Sequence, residues 1–90
     1  MAIKVQLLGP MRDATDGKSE IEVSGATVGA ALADLVKQHP AVGPKLFENG
    51  QLRQFIIVTV NDEDIRYLDD MDTAVKDGVI MAIMPSVAGG

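Results

Sequence analysis

Cysteine is absent from the 90 residues, which excludes disulfides, thiolate metal sites and a cysteine nucleophile together. Histidine occurs once, at His39. A lone imidazole without a neighbouring nucleophile or second ligand is poor material for catalysis, and in a last helical turn it suits the helix macrodipole instead. No apolar run approaches the ~20 residues that a membrane-crossing helix needs. The opening Met1-Ala2-Ile3-Lys4-Val5 already alternates like a strand and shows no signal-peptide pattern. The expectation is a cytoplasmic protein with no membrane partner.

Positive charge is scarce as well: 8 basic residues face 13 acidic ones, for a net charge of -5. Phosphates would repel such a chain, so nucleic acid is not an expected partner, whereas a basic docking surface is. Plain solubility accounts for the same imbalance. Two acidic groups, Asp62 to Asp64 and Asp69 to Asp72, lack the glycine and glutamate spacing of a calcium loop and read as solvated turns, with no metal.

What is present points to a single domain over residues 1–90, burying a little over ~60% of the surface its unfolded chain exposes. Ile3, Val5 and Leu7 alternate with Lys4 and Gln6, predicting a strand from Ala2 to Leu8 that Gly9-Pro10 breaks. A polar stretch from Arg12 to Lys18, with Asp16-Gly17 as its turn, leads to a second strand over Glu20 to Val23 as a long-looped hairpin. Thr27 is the expected N-cap of the main helix, whose stripe is Val28, Ala31, Leu32, Leu35 and Val36. Pro40 stops it at His39. Gly29 in the first turn costs about 1 kcal/mol against alanine, which implies close backbone packing there.

From Ala41 to Gln54 the pattern is irregular. Pro44 is expected to start a short helical turn and Asn49-Gly50 to end it, with Val42, Leu46 and Phe47 closing the core beneath the helix. Phe55 to Val60 is apolar on both sides and predicts an inner strand. Asn61 to Asp64 turns the chain, Ile65 to Leu68 is expected as a short edge strand, and Asp72 to Val75 as one capped turn before Asp77-Gly78. Val79 to Met84 forms the last strand, which Pro85 closes.

Five strands and one main helix in this order describe an α+β domain with the helix on one face of the sheet. With Ile56, Val58, Val60, Met81 and Ile83 under the helix, Phe55, Ile57, Ile80, Ala82 and Met84 point away from it. They make a candidate partner surface, unless self-association or the Ala41 to Gln54 segment covers them.

Beyond Pro85 lies an uncharged tail, Ser86-Val87-Ala88-Gly89-Gly90, expected to be flexible. Its one reactive group is the main-chain carboxylate of Gly90. Val87 and Ala88 are small, Gly89 and Gly90 carry no Cβ, and such a tail can thread a narrow channel and present an unhindered carbonyl carbon. A frayed end or a cloning remnant would read the same way.

The Pro85-Ser86-Val87-Ala88-Gly89-Gly90 ending, the Asp77-Gly78 turn, the Val60 to Arg66 strand and turn, and the Thr27-Val28 helix start together resemble the ThiS/MoaD family of ubiquitin-like sulfur carriers. The resemblance implies a β-grasp fold with a mixed sheet of about five strands, and a carrier rather than an enzyme. It further implies that a ubiquitin-activating-type adenylating enzyme spends ATP on the Gly90 carboxylate, and that a sulfurtransferase or sulfide converts it to a thiocarboxylate. Gly89, Ala88 and Val87 would thread the tail into each partner, and no cofactor is bound. A sulfur-accepting biosynthetic enzyme is the last implied partner.

The Asn61 to Arg66 segment and the tail look most like carriers of cysteine synthesis. The small subunit of molybdopterin synthase is the alternative, from which the chain departs at Ser86 and Gly78-Val79. A covalent protein modifier would start from the same adenylate. A non-covalent interaction module would not need the tail.

Overall fold

A strand forms where period-two burial meets a partner ladder, and β1 (Ala2–Leu7) does both: Ile3, Val5 and Leu7 are buried while Lys4 stays exposed. In the computed structural model, which describes residues 2–85, a 3-10 turn (Gly9–Thr15) follows and leads into β2 (Glu20–Ser24). Helix α1 (Val28–Gln38) comes next, then a 3-10 turn (Pro40–Val42) and the short α2 (Gly43–Leu46). Two-residue strands β3 (Phe47–Glu48) and β4 (Gln51–Leu52) make a small separate hairpin. Then come β5 (Ile56–Val60), β6 (Glu63–Asp64), 3-10 turns at Ile65–Tyr67 and Asp70–Asp72, and β7 (Ile80–Pro85).

The main sheet has the order β2-β1-β7-β5-β6. β1 and β7 run parallel at its centre, and every other neighbour is antiparallel. This is the mixed five-stranded α+β arrangement that the sequence implied. Val28, Ala31, Leu32 and Leu35 of α1 are fully buried against Ile3, Val5, Ile56, Val58, Met81 and Ile83. Val42 and Leu46 close the same core from the connection after the helix, so that segment serves the helix side and does not cover the opposite face of the sheet.

The helix begins as expected. The Thr27 hydroxyl accepts from the Ala30 N–H at 3.1 Å, and His39 is the C-cap, its N–H bonded to the Leu35 carbonyl. Gly29 is crowded: a Cβ there would stand 3.2 Å from the Met71 carbonyl oxygen. Gly25, which the sequence did not single out, is tighter still, since a Cβ would come within 2.6 Å of the Ala31 backbone nitrogen.

Four local expectations are corrected. Ile65 to Leu68 is a 3-10 turn, and the edge strand is β6, because Asp64 accepts from the Arg66 N–H at 2.9 Å and closes the backbone locally before a ladder can form. Asn49-Gly50, with φ of 55° and 79°, turns the β3–β4 hairpin and does not end a helix. Arg12 to Thr15 is helical: Thr15 is buried and its hydroxyl donates to the Lys18 carbonyl at 2.8 Å. Asp72 to Val75 is no capped turn but a bridge beside the helix start, with the Val28 N–H donating to Thr73 and the Val75 N–H to Ala26.

The outer edge of β2 is partly capped by the helix. Asp34 Oδ2 accepts from the Ser24 N–H at 2.9 Å and from Gln38 Nε2 at 3.0 Å, and that amide also donates to the Glu22 carbonyl. Such bonds occupy backbone groups that another strand could use. The Ser24 N–H, aided by Gln38, holds the Asp34 carboxyl below its ordinary 3.8.

Two outcomes follow from these contacts. Gly25→Ala should destabilise the domain by about 1–3 kcal/mol, as an added methyl pressed on fixed backbone does, measured by urea unfolding. Because Asp34 is more acidic when folded, its support is present above the unfolded value near 3.8 and is lost as pH falls through the lower folded value. The urea midpoint of the wild type should therefore rise more steeply between about pH 3 and about pH 5 than that of Asp34→Asn, which removes the titrating group.

Candidate docking face and tail exit

Strand pleat sends alternate side chains to opposite faces, and in β7 the two faces have different partners. Met81 and Ile83 are fully buried under α1, while Ile80, Ala82 and Met84 look the other way. Register then builds three rows across that open face. Ile57 stands opposite Met84, and the Leu8 N–H donates to the Ile83 carbonyl at 3.1 Å, which brings Leu8 alongside. The middle row is Gln6, Ala82 and Thr59. The last is Lys4 and Ile80, next to Asn61.

Ile57, Ile80, Ala82 and Met84 therefore share the face assigned to them from the sequence, while Phe55, one residue before β5, borders a depression with Leu52 and Gln54 of the hairpin segment. They do not form one uniform patch. Phe55 is 56% exposed and lies with Ile57 and Met84 at the end where β7 leaves the sheet; Ile80, 42% exposed, is at the opposite end. Leu8, 43% exposed, joins the first group and was missed, although it shares the outward parity of Lys4 and Gln6 and is the one apolar residue of the three. Between the ends, Gln6, Thr59, Asn61 and Ala82 line a shallow depression of about 320 Å³.

Both ends of the face are held by specific bonds. Near Phe55, the Arg53 guanidinium lies 6.0 Å from the ring centroid, and its Nε donates to the Pro44 carbonyl at 2.9 Å. Near Ile80, Asn61 and Asp62 take φ of 48° and 72°, the turn that joins β5 to β6. Asn61 Oδ1 accepts from the Ile80 N–H at 3.1 Å and its own N–H donates back to the Ile80 carbonyl at 2.8 Å. Beyond this turn Arg66 Nη2 meets Asp64 Oδ2 at 2.7 Å, which makes the Asp64 carboxyl more acidic than usual.

β7 ends at Pro85, in register with Ile56. The tail positions Val87, Ala88, Gly89 and Gly90, with Ser86, lie outside the described residues. Among the described residues, no three His, Asp or Glu side chains come together as metal ligands, and no helix is long and apolar enough to cross a membrane. The geometry presents a strand terminus flanked by apolar side chains.

The ThiS family profile matches residues 5–90. The chain belongs to the ThiS family. It is 34% identical to the sulfur carrier protein CysO of Mycobacterium tuberculosis, over an alignment covering 100% of both chains. It is also 35% identical to the small archaeal modifier protein 3 of Haloferax volcanii, covering 72% of this chain and 71% of that one. Among solved structures, the crystal structure of the Amycolatopsis orientalis BexX/CysO complex superposes with a TM-score of 0.90 at 37% identity, covering 99% of this chain and 100% of the matched one. These likenesses give the ThiS-family chain the ubiquitin-like β-grasp fold, and the relative matched end to end is named as a carrier, not as an enzyme.

Because Phe55 and Leu8 are solvent-facing and Met84 lies on the open side, Leu8→Asp, Phe55→Asp and Met84→Asp should each leave the domain folded, with stability changed by about 1 kcal/mol or less. Circular dichroism with urea unfolding checks this. Unfolding of Met84→Asp would mean that its side chain belongs to the core.

Proposed function

We propose that the chain is a sulfur carrier whose working group is the main-chain carboxylate of Gly90. The observation that carries this reading is the end-to-end match to a named sulfur carrier, with the family profile running through the diglycine. Residues 1–90 act as one domain, and residues 86–90 serve as a flexible arm. The body binds no cofactor, and the chemistry is done by partner enzymes in the cytoplasm.

The carboxylate is a poor electrophile until its oxygen becomes part of a good leaving group. In a ubiquitin-activating-type enzyme, a Gly90 oxygen attacks the α-phosphorus of ATP and pyrophosphate departs, leaving an acyl-adenylate. Sulfide then attacks the acyl carbon and expels AMP, which leaves a thiocarboxylate; where the persulfide of a sulfurtransferase attacks instead, the acyl disulfide formed is cleaved by a second thiol, which releases the thiocarboxylate and leaves a disulfide. The absence of Cβ atoms at Gly89 and Gly90 keeps that carbon accessible. The resemblance to cysteine-synthesis carriers favours an activated serine derivative as acceptor, whose leaving group the thiocarboxylate sulfur displaces.

Phe55, Ile57 and Met84 with Leu8 would seat each partner beside the tail, so that docking and delivery use one surface. A second reading, a covalent modifier in which a lysine amine attacks the same adenylate, draws support from the likeness to small archaeal modifier protein 3.

Deleting Gly90, or extending the chain past it, should abolish ATP-dependent activation by the adenylating partner while the circular dichroism spectrum is unchanged. Retained activation would overturn the assignment. Phe55→Asp should weaken binding of that partner by roughly tenfold or more, as loss of an aromatic anchor does. Intact mass alone misleads, because exchanging oxygen for sulfur adds nearly the mass of one methionine oxidation and the chain has five methionines. Thiol-selective alkylation of the terminal peptide identifies the carrier, and lysine-linked conjugates identify the modifier.

A further inference from the structure

A second groove lies on the helix side of the sheet, away from the open face. Its floor is Phe47, Leu52 and Met71, each half-buried and packed against the core. Its walls are the β3–β4 hairpin with Gly50 and Gln51 on one side and the Asp69 to Asp72 turn on the other, bounding an open recess of about 420 Å³. That volume falls within the range of small recognition sites. The floor is fixed by more than its own contacts, since the Met71 backbone lies against Gly29 of α1 and the following Thr73 carbonyl accepts from the Val28 N–H.

The lining has one sign of charge. Asp69, Asp70 and Asp72 stand at the rim, and neither lysine nor arginine is among the lining residues. Of the neighbouring cations, Arg53 lies over the Phe55 ring and 3.9 Å from Glu48, and Arg66 is paired with Asp64 at 2.7 Å. An apolar floor beneath an acidic rim selects an apolar side chain flanked by cations. Neutral or acidic apolar segments would lose the rim contacts, and a free cation would gain nothing from the floor.

We propose that this groove is a second docking site, and that its occupant is a segment of a partner protein carrying a leucine-like side chain between lysines or arginines. Its position on the helix side leaves Ile57 and Met84, on the opposite face of the sheet, available, so one chain can hold this segment while its open face and tail engage an enzyme. The site does not require any chemistry at Gly90.

The test uses the full chain, isotopically labelled, titrated with a short amidated peptide of leucine flanked by lysines and with its glutamate counterpart. Amide shifts should concentrate at Gly50 to Leu52 and at Asp69 to Asp72 with the lysine peptide and be absent with the glutamate one. Asp69→Asn combined with Asp72→Asn, both exposed positions, should weaken binding roughly fivefold or more. Glu22→Gln at the β2 edge should not change it. Deletion of Gly90 should leave the peptide affinity as it was, which separates this site from the carrier reading. Shifts centred on Ile57, Ala82 and Met84, an unchanged affinity in the double variant, or no binding of the lysine peptide would each overturn the proposal.

Discussion

The constraint on which the molecule depends is the insertion of its last strand between its first and its fifth. β7 pairs in parallel with β1 and antiparallel with β5, so the last strand in the chain is the one that joins the two halves of the sheet. Burying Met81 and Ile83 supplies about 1.5–3 kcal/mol each from the apolar surface removed. The same ladder fixes where Pro85 leaves the sheet. The end of β7 is thereby rooted in the middle of the sheet, where neighbours on both sides resist displacement.

The two ends of β7 are secured by different chemistry. At its start, Asn61 bonds the Ile80 backbone twice, which requires the left-handed backbone that asparagine tolerates better than most residues. At its finish, Pro85 withholds an N–H and so offers no donor for the ladder to continue. Between them the outward side chains grade from Ile80 near polar Asn61 to Met84 among Leu8, Ile57 and Phe55. The face is thus directional, and its more apolar end is the one nearest the tail.

The helix layer does more than cover the sheet. Gly25 lets the chain pass within contact distance of Ala31, Thr27 caps the first turn, and Asp34 with Gln38 reaches back to the edge of β2. On the other side of the helix start, Met71 joins the floor of the acidic groove and the Asp69 to Asp72 turn builds one wall. One helix therefore organises a core, a sheet edge and a recess, all on one side of the sheet.

Sequence periodicity by itself determined the α+β class, the positions of β1, β2, β5 and β7, the cap at Thr27, and which side chains of β5 and β7 avoid the helix. These depend on alternation, stripe and cap chemistry, all of which are local. Two-residue strands such as β3, β4 and β6 carry too few residues to show a period, and Asp64 could redirect Ile65 to Leu68 with one side-chain bond. Tertiary structure alone decided that β7 lies between β1 and β5, that Leu8 stands beside Met84, that Gly25 is still more crowded than Gly29, and that Phe47, Leu52 and Met71 share a floor. Except for Gly25, which meets Ala31 through the turn into the helix, each of those facts depends on contacts between residues far apart in the chain, which spacing along the sequence does not encode.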